Sequence, residues 1–170
     1  MIVHLPWEWV VVLDAAAWAA WSALAGWWTG RPSAARRHGR PDTDGPVLRL
    51  RSFEIGGHWY QTRLHIRAWK GRLPEAGGAF GGRSKRQLPP GGAQGLPTFL
   101  TECRRAERTH WIILAAMPVF AVWNPPGLLL AMVAFAIVAN LPCLAVLRYN
   151  RARVLVRQPG CSAGDPASRA

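Results

Sequence analysis

A chain of 170 residues with a formal net charge of +12 and half of its residues apolar has the length of one ordinary domain, yet its apolar residues fall in two blocks. That clustering excludes a well-mixed soluble globule and points to a small, mainly α-helical integral membrane protein with about three transmembrane segments. Nor does the basic excess call for nucleic acid as a partner, because a cytoplasmic loop beside anionic lipid headgroups gains ~1 kcal/mol per Lys or Arg near the surface.

The first block, Trp9 to Trp28, has twenty residues and one acid, Asp14. At ~1.5 Å rise per residue it reaches ~30 Å, the thickness of a bilayer's hydrocarbon core. Residues 1–30 are therefore read as an N-terminal transmembrane segment. Ala23-Leu24-Ala25 resembles a signal cleavage site, but no Lys or Arg precedes the block and tryptophans and arginines follow it closely, which favours an uncleaved span. Residues 31–97 form a basic cytoplasmic loop region. It opens with an irregular linker from Arg31 to Pro46. Val47 to Phe53 alternates apolar and polar residues and predicts a short strand or extended segment, interrupted by Gly56-Gly57. Trp59 to Lys70 reads as an amphipathic helix or strand at the interface, its basic residues snorkelling towards phosphates. Between Leu73 and Pro97 the chain is rich in glycine and proline, as in a mobile loop, without the spacing of a P-loop.

A helix is expected from about Leu96, with Thr98 and Thr101 as cap candidates, running through the glutamates into the membrane. Residues 98–157 make a helical hairpin and a cytoplasmic return, and 158–170 a disordered tail. The hairpin rests on Trp111 to Leu147, thirty-seven residues without a charge. A span needs ~20, so two fit, with Asn124-Pro125-Pro126-Gly127 as the turn. The first arm is short unless its helix begins near Cys103, so it is read as entering at an angle or as re-entrant. Pro118 suggests a kink in that arm. Of the 21 Lys and Arg, 16 lie between Arg31 and Arg108, five follow Leu147 and none precedes Arg31. The positive-inside rule then puts the N-terminus outside the cell membrane and the main loop and C-terminus in the cytoplasm, a multi-pass arrangement. Three spans bury little surface, which fits assembly as a homo-oligomer.

The chemistry-bearing residues gather where the charged loop meets the second apolar block. Glu107 and His110 are three apart and share a helix face, so the carboxylate is expected to orient the imidazole as a general base. The alternative is a helix-surface ion pair. Asn140 is costly in hydrocarbon unless its amide has a partner, either across the hairpin or at the kink made by Pro142. Arg104, Arg105, Arg148, Asn150, Arg151 and Arg153 form a positive collar that suits a phosphate or carboxylate, or simply anchors the inner face. No metal is expected: a second Glu-x-x-His and a His-Glu-x-x-His are both missing. Cys103, Cys143 and Cys161 are read as ordinary thiols.

Four blocks then carry a resemblance. Arg67-Ala68-Trp69-Lys70-x-x-Leu73-Pro74, Phe99-x-x-Glu102-x-x-Arg105-Ala106-Glu107-x-x-His110-Trp111, Ala139-Asn140-Leu141-Pro142 and Arg148-Tyr149-Asn150-Arg151-x-Arg153 resemble, in order and spacing, the glycosyl-4,4'-diaponeurosporenoate acyltransferase family of bacterial carotenoid biosynthesis. The resemblance covers roughly residues 47–155; the first span, the Gly/Pro-rich loop and the tail depart from it. It implies a membrane O-acyltransferase that esterifies a sugar hydroxyl of a glycosylated carotenoid, or a related isoprenoid glycoside or glycolipid, with a fatty acyl group. It implies no bound cofactor, and a fatty acyl thioester, of CoA or acyl carrier protein, as co-substrate. The matched positions it draws attention to include His110, Glu107 and Asn140, which on physical grounds are read as the catalytic candidates: His110 as base, Glu107 orienting it and Asn140 as the oxyanion donor. Lys70, Glu102, Arg105, Arg148, Asn150 and Arg151 are the substrate-binding candidates. The competing expectation is a non-catalytic membrane scaffold or lipid-binding subunit that docks through its basic loop.

Overall fold

A computed structural model describes residues 6–31, 44–73 and 92–156, with side chains in the last segment from Gly95 onward. The Gly/Pro-rich stretch around Arg83, Lys85 and Arg86, most of the linker after Arg31 and the tail lie outside the described residues. The molecule is mainly helical: α1 spans Trp7–Gly30, α2 His58–Arg63, α3 Ile66–Trp69, α4 Gly92–Ala115 and α5 Pro126–Leu155. Short 3-10 helices occupy Ser52–Gly57, Lys70–Arg72 and Met117–Val122. Two helices, α1 and α5, are long and apolar enough to cross a membrane.

α1 buries one stripe, Val10, Asp14, Ala25, Gly26 and Thr29, and leaves large apolar residues exposed around it. Polar contacts at three points of α1 tie it antiparallel to the α4 arm. Asp14 accepts from Trp123 Nε1 at 2.7 Å and from Asn124 Nδ2 at 2.8 Å, Trp21 Nε1 donates to the Ile112 carbonyl at 3.1 Å, and the Thr29 and Thr109 hydroxyls meet at 2.7 Å. The Ile112 carbonyl is open to Trp21 because α4 is ending at that point. Pro118 has no N–H for the carbonyl four residues back, so Ala116 N–H tightens onto Ile113 and the chain continues as a 3-10 helix. The uncharged part of this arm, Trp111 to Val122, is then ~20 Å long at ~1.5 to 2 Å per residue, short of the ~30 Å of a bilayer core. The turn lies where the Asn-Pro-Pro-Gly run predicts it, with Pro125 extended (φ −67°, ψ 156°) and Pro126 opening α5.

The last three turns of α5 are enclosed on two sides. Leu96, Phe99, Leu100 and Cys103 of α4 pack on Leu147 and Val154, while Tyr60 and Ile66 cover Val146 and Tyr149 from the other side. Gly57, at φ +75°, lies so close that a Cβ there would stand 2.9 Å from Arg153 Cγ and from the Tyr149 ring. Only glycine fits both the left-handed backbone and that space.

Two expectations are corrected. Val47 to Phe53 is a turn leading into the 3-10 helix of Ser52–Gly57, and no strand occurs among the described residues. The carbonyls of Val47, Leu48 and Arg49 accept from Arg148 and Arg151 instead of from a neighbouring strand. The helix expected from Leu96 begins earlier, at Gly92, and carries Pro97 inside it; Thr101 back-bonds to the Pro97 carbonyl at 3.0 Å and caps nothing.

Candidate active site between α4 and α5

Arg148 and Arg151 are one turn apart on α5 and reach across to Glu107 of α4. Arg148 holds Glu54 with two bonds, Nε to Oε1 and Nη2 to Oε2, each 2.7 Å, and donates Nη1 to Glu107 Oε1 at 2.6 Å. Arg151 donates Nη1 to the other Glu107 oxygen and Nη2 to Asp44 Oδ2 at 2.7 Å. Asp44 Oδ2 also accepts from Arg104 Nε at 3.1 Å. Three carboxylates thus face three guanidiniums, and the cluster is neutral. Glu107 is 0% and Arg151 1% exposed, a burial tolerable only for matched, hydrogen-bonded charges. The same two arginines grip the carbonyls of Val47, Leu48 and Arg49, so the cluster also clamps the segment from Asp44 to Gly57 onto the helices.

Glu54 is drawn into this clamp locally as well. Its carboxylate accepts from Tyr60 Oη and, at 2.6 Å, from the Arg51 backbone N–H. Burial opposes its ionisation, but the bonds from Arg148, Tyr60 and Arg51 outweigh burial and hold the carboxyl down at about 2. Burial, followed by the contact with Glu54, pushes the Tyr60 phenol above its ordinary range.

The expected Glu107–His110 pair is replaced. Both Glu107 oxygens accept from arginines, and His110 Nδ1 lies 2.7 Å from Asn140 Oδ1 across the helix interface. The amide orientation follows from its other end: Asn140 Nδ2 donates to the Ala136 carbonyl at 2.8 Å, so Oδ1 faces the ring. A carbonyl-type oxygen can only accept. His110 Nδ1 therefore carries the hydrogen, and in the neutral ring the lone pair is on Nε2. Asn140 is 3% exposed. Its Oδ1 holds the tautomer and the ring plane, while its Nδ2 donates to the Ala136 carbonyl.

The other candidates divide. Arg148 and Arg151, expected to hold an anionic head, are committed to carboxylates. Glu102 and Arg105 form their own pair at 2.8 Å on α4, and Asn150 is buried against the enclosed end of α5. Lys70 lies away from His110, beside the Tyr149 ring. Sequence reasoning passed over Asp44, Glu54 and Tyr60. The usable signal was scarcity: the chain has nine acids against 21 Lys and Arg, so a carboxylate inside a basic stretch is the natural partner of a buried arginine. Among the described residues no cluster of His, Cys, Asp and Glu has the makings of a metal site.

The family model described as glycosyl-4,4'-diaponeurosporenoate acyltransferase matches residues 45–156. The chain belongs to this family. The matched range starts at the clamp segment and ends with α5, so it contains the His110–Asn140 pair and all of the ion cluster except Asp44. Similar proteins carrying the family's name come from Staphylococcus haemolyticus strain JCSC1435, 32% identical over 109 residues (63% of this chain and 63% of that one). Two more are from Staphylococcus aureus: strain bovine RF122 / ET3-1, 29% identical over 112 residues, and strain USA300, 28% over 111, each covering 64% of this chain and 66% of the relative. The match thus spans slightly less than two-thirds of each relative's length. No solved structure matches the chain.

Proposed function

We propose that the protein is a membrane O-acyltransferase that esterifies a sugar hydroxyl of a glycosylated carotenoid, or of a related glycolipid, with a fatty acyl group from a CoA or carrier-protein thioester. The observation that carries the reading is the His110–Asn140 pair: a histidine whose Nδ1 hydrogen is fixed by a buried amide, in a chain of a family named for this transfer. Nε2 takes the proton of the sugar hydroxyl as its oxygen attacks the thioester carbonyl. The C–O bond forms, the C–S bond breaks, and the imidazolium returns its proton to the departing thiolate. His110 is the catalytic residue; Asn140 is a positioning residue, stabilising the imidazolium through a bond that becomes charge-assisted.

The ion cluster supports this arrangement mechanically. It locks α4 to α5 one turn below His110 without placing an unpaired charge beside the base. In the membrane α1 and α5 cross and the shorter α4 arm, antiparallel to α1, carries the chain back towards the outer face between them; the N-terminus then faces outward and the loop region and C-terminus are cytoplasmic, in keeping with every Lys and Arg following Gly30. His110 then lies towards the inner leaflet, within reach of a soluble thioester and a lipid-embedded acceptor.

The test is expression in a strain that makes a glucosylated carotenoid but no acylated product, with mass spectrometry of the extracted lipids. A mass gain of one acyl chain is expected with the unmodified chain and not with His110→Ala. Full acylation by a correctly inserted His110→Ala protein would remove His110 from the reaction. No gain with either protein would favour the scaffold alternative or another acceptor.

A further inference from the structure

A chain of polar contacts fixes how deep the clamp segment sits in the membrane. Trp27 and Trp28, both more than half exposed at the cytoplasmic end of α1, belong at the interface, where indoles concentrate. Thr29 follows them and meets Thr109 of α4 at 2.7 Å. Glu107 lies two residues nearer the aqueous side, ~3 Å along the helix axis. Arg148 joins it to Glu54 and to the Val47 carbonyl. The segment around Glu54 therefore stands in the headgroup zone, which is ~5 to 7 Å thick on each side of the hydrocarbon core.

At that depth the outer surface of the segment is apolar. Phe53 is 54%, Ile55 58% and Trp59 37% exposed. The Phe53 and Trp59 rings meet edge-on with centroids 5.3 Å apart and form one patch. Phe53 and Ile55 flank Glu54, which is 3% exposed and anchored inward by Arg148 and Tyr60. That anchor holds its two neighbours on the outside. Arg49, Arg51 and Arg63 are exposed before and after the patch, and their guanidiniums make no ion pair among the described residues. Large apolar side chains between unpaired cations are the composition of a face that lies in an anionic membrane surface.

We infer that Phe53, Ile55 and Trp59 form an insertion surface for the inner leaflet, entering the boundary between acyl chains and headgroups while Arg49, Arg51 and Arg63 meet lipid phosphates. The clamp is then a further membrane anchor, supplied by a segment between the spans and joined to them through the ion cluster. The inference rests on the membrane placement given above and is independent of the acyl-transfer chemistry.

The test measures depth by electron paramagnetic resonance on the full chain in nanodiscs of phosphatidylcholine and phosphatidylglycerol. Cys143→Ser and Cys161→Ser remove two thiols, and Cys103, 0% exposed, stays. A nitroxide is attached singly at Phe53→Cys and Ile55→Cys and at two references: Val138→Cys, 72% exposed in the apolar part of α5, and Val156→Cys, 58% exposed beyond its last arginine. Oxygen, which concentrates among acyl chains, and a nickel chelate, which stays in water, serve as the relaxing agents. A face of this kind sits ~5 to 10 Å into the boundary, so the oxygen-to-nickel accessibility ratio at positions 53 and 55 should exceed that at Val156→Cys at least about fivefold and approach that at Val138→Cys. A ratio equal to that at Val156→Cys would overturn the inference, as would labels shielded from both reagents, the signature of a protein partner or a second copy on the patch. A nickel-favoured Val138→Cys label would remove the membrane placement of α5, and the inference with it. None of these readings depends on acyl transfer.

Discussion

The sharpest consequence of the His110–Asn140 geometry concerns Asn140→Ala. In the resting site the Nδ1–H···Oδ1 contact joins two neutral groups, and a bond of that kind is worth about 1 kcal/mol. When Nε2 takes the hydroxyl proton the donor becomes cationic, and the bond rises to about 2 to 3 kcal/mol. Only the difference, ~1 to 2 kcal/mol, accelerates the reaction, which is ~5- to 30-fold in rate. Without Asn140 the two neutral tautomers become comparable, and the fraction with a basic Nε2 falls by a further factor of ~2. Asn140→Ala should therefore lower kcat by ~10- to 60-fold with little change in KM, against ~100- to 10,000-fold for His110→Ala. The assay is initial-rate acyl transfer by purified protein in nanodiscs, with the double variant included. Because Asn140 acts through His110, the double variant should be no slower than His110→Ala alone. Additive losses would refute the coupling, and an undiminished kcat in Asn140→Ala would refute the positioning role itself.

Glu107→Gln removes the carboxylate shared by Arg148 and Arg151 and leaves a buried net charge of +1 in a cluster of three acids and three arginines. It should cost ~3 to 5 kcal/mol of stability, measured by chemical denaturation in detergent, while the folded fraction keeps a turnover close to the unmodified rate. Gly57→Ala should lose stability in the same assay, because the left-handed backbone alone costs ~1 to 2 kcal/mol and the new Cβ meets Arg153 and Tyr149 at 2.9 Å. Acid should loosen the clamp with a definite sign. The Glu54 carboxyl is depressed from 4.5 to about 2 in the folded state, so its contribution is complete above about 4.5 and is lost as pH falls towards 2. Denaturation midpoints followed from pH 5 to pH 3 should fall for the unmodified chain and change less for Glu54→Gln.

What the sequence revealed was set by range. The apolar blocks, the Asn-Pro-Pro-Gly turn and the break at Pro118 are local: each depends on hydropathy or on a missing N–H within a few residues, and each is found where the sequence predicts it. The partner of Glu107 is not local. Spacing on one helix makes His110 its neighbour at i+3, but an isolated i,i+3 contact gives only ~0.2 to 0.5 kcal/mol. Two guanidiniums from a facing helix outcompete it once all three side chains leave water. The failed strand has the same cause. Alternation over Val47 to Phe53 predicts a buried face, of which Leu48 is buried and Leu50 half-buried while Phe53 stays exposed, and the hydrogen-bond partners are arginine side chains that only the folded α5 can present. Asn140 was legible as a polar residue needing a partner; that the partner is His110 required the register of α4 against α5.

That register explains why residues that look like a catalytic group divide into two kinds. A base that acts on a sugar hydroxyl at a membrane interface must be neutral in its resting state, and a carboxylate at ~3 Å would favour the imidazolium. An amide partner orients the ring without that penalty. The carboxylate is still required a turn away, because two arginines that anchor a loop to a helix pair cannot be buried unmatched. Replacing Asn140 by Asp tests this division directly. The new carboxylate still accepts from Nδ1 but stabilises the charged ring, so the pH–rate profile should shift its acidic limb upward by about one unit or more, with activity recovering as pH rises. A profile superimposable on that of the unmodified chain would mean that the charge at position 140 does not reach the base, and a neutral partner would then have no electrostatic advantage over a carboxylate at that position.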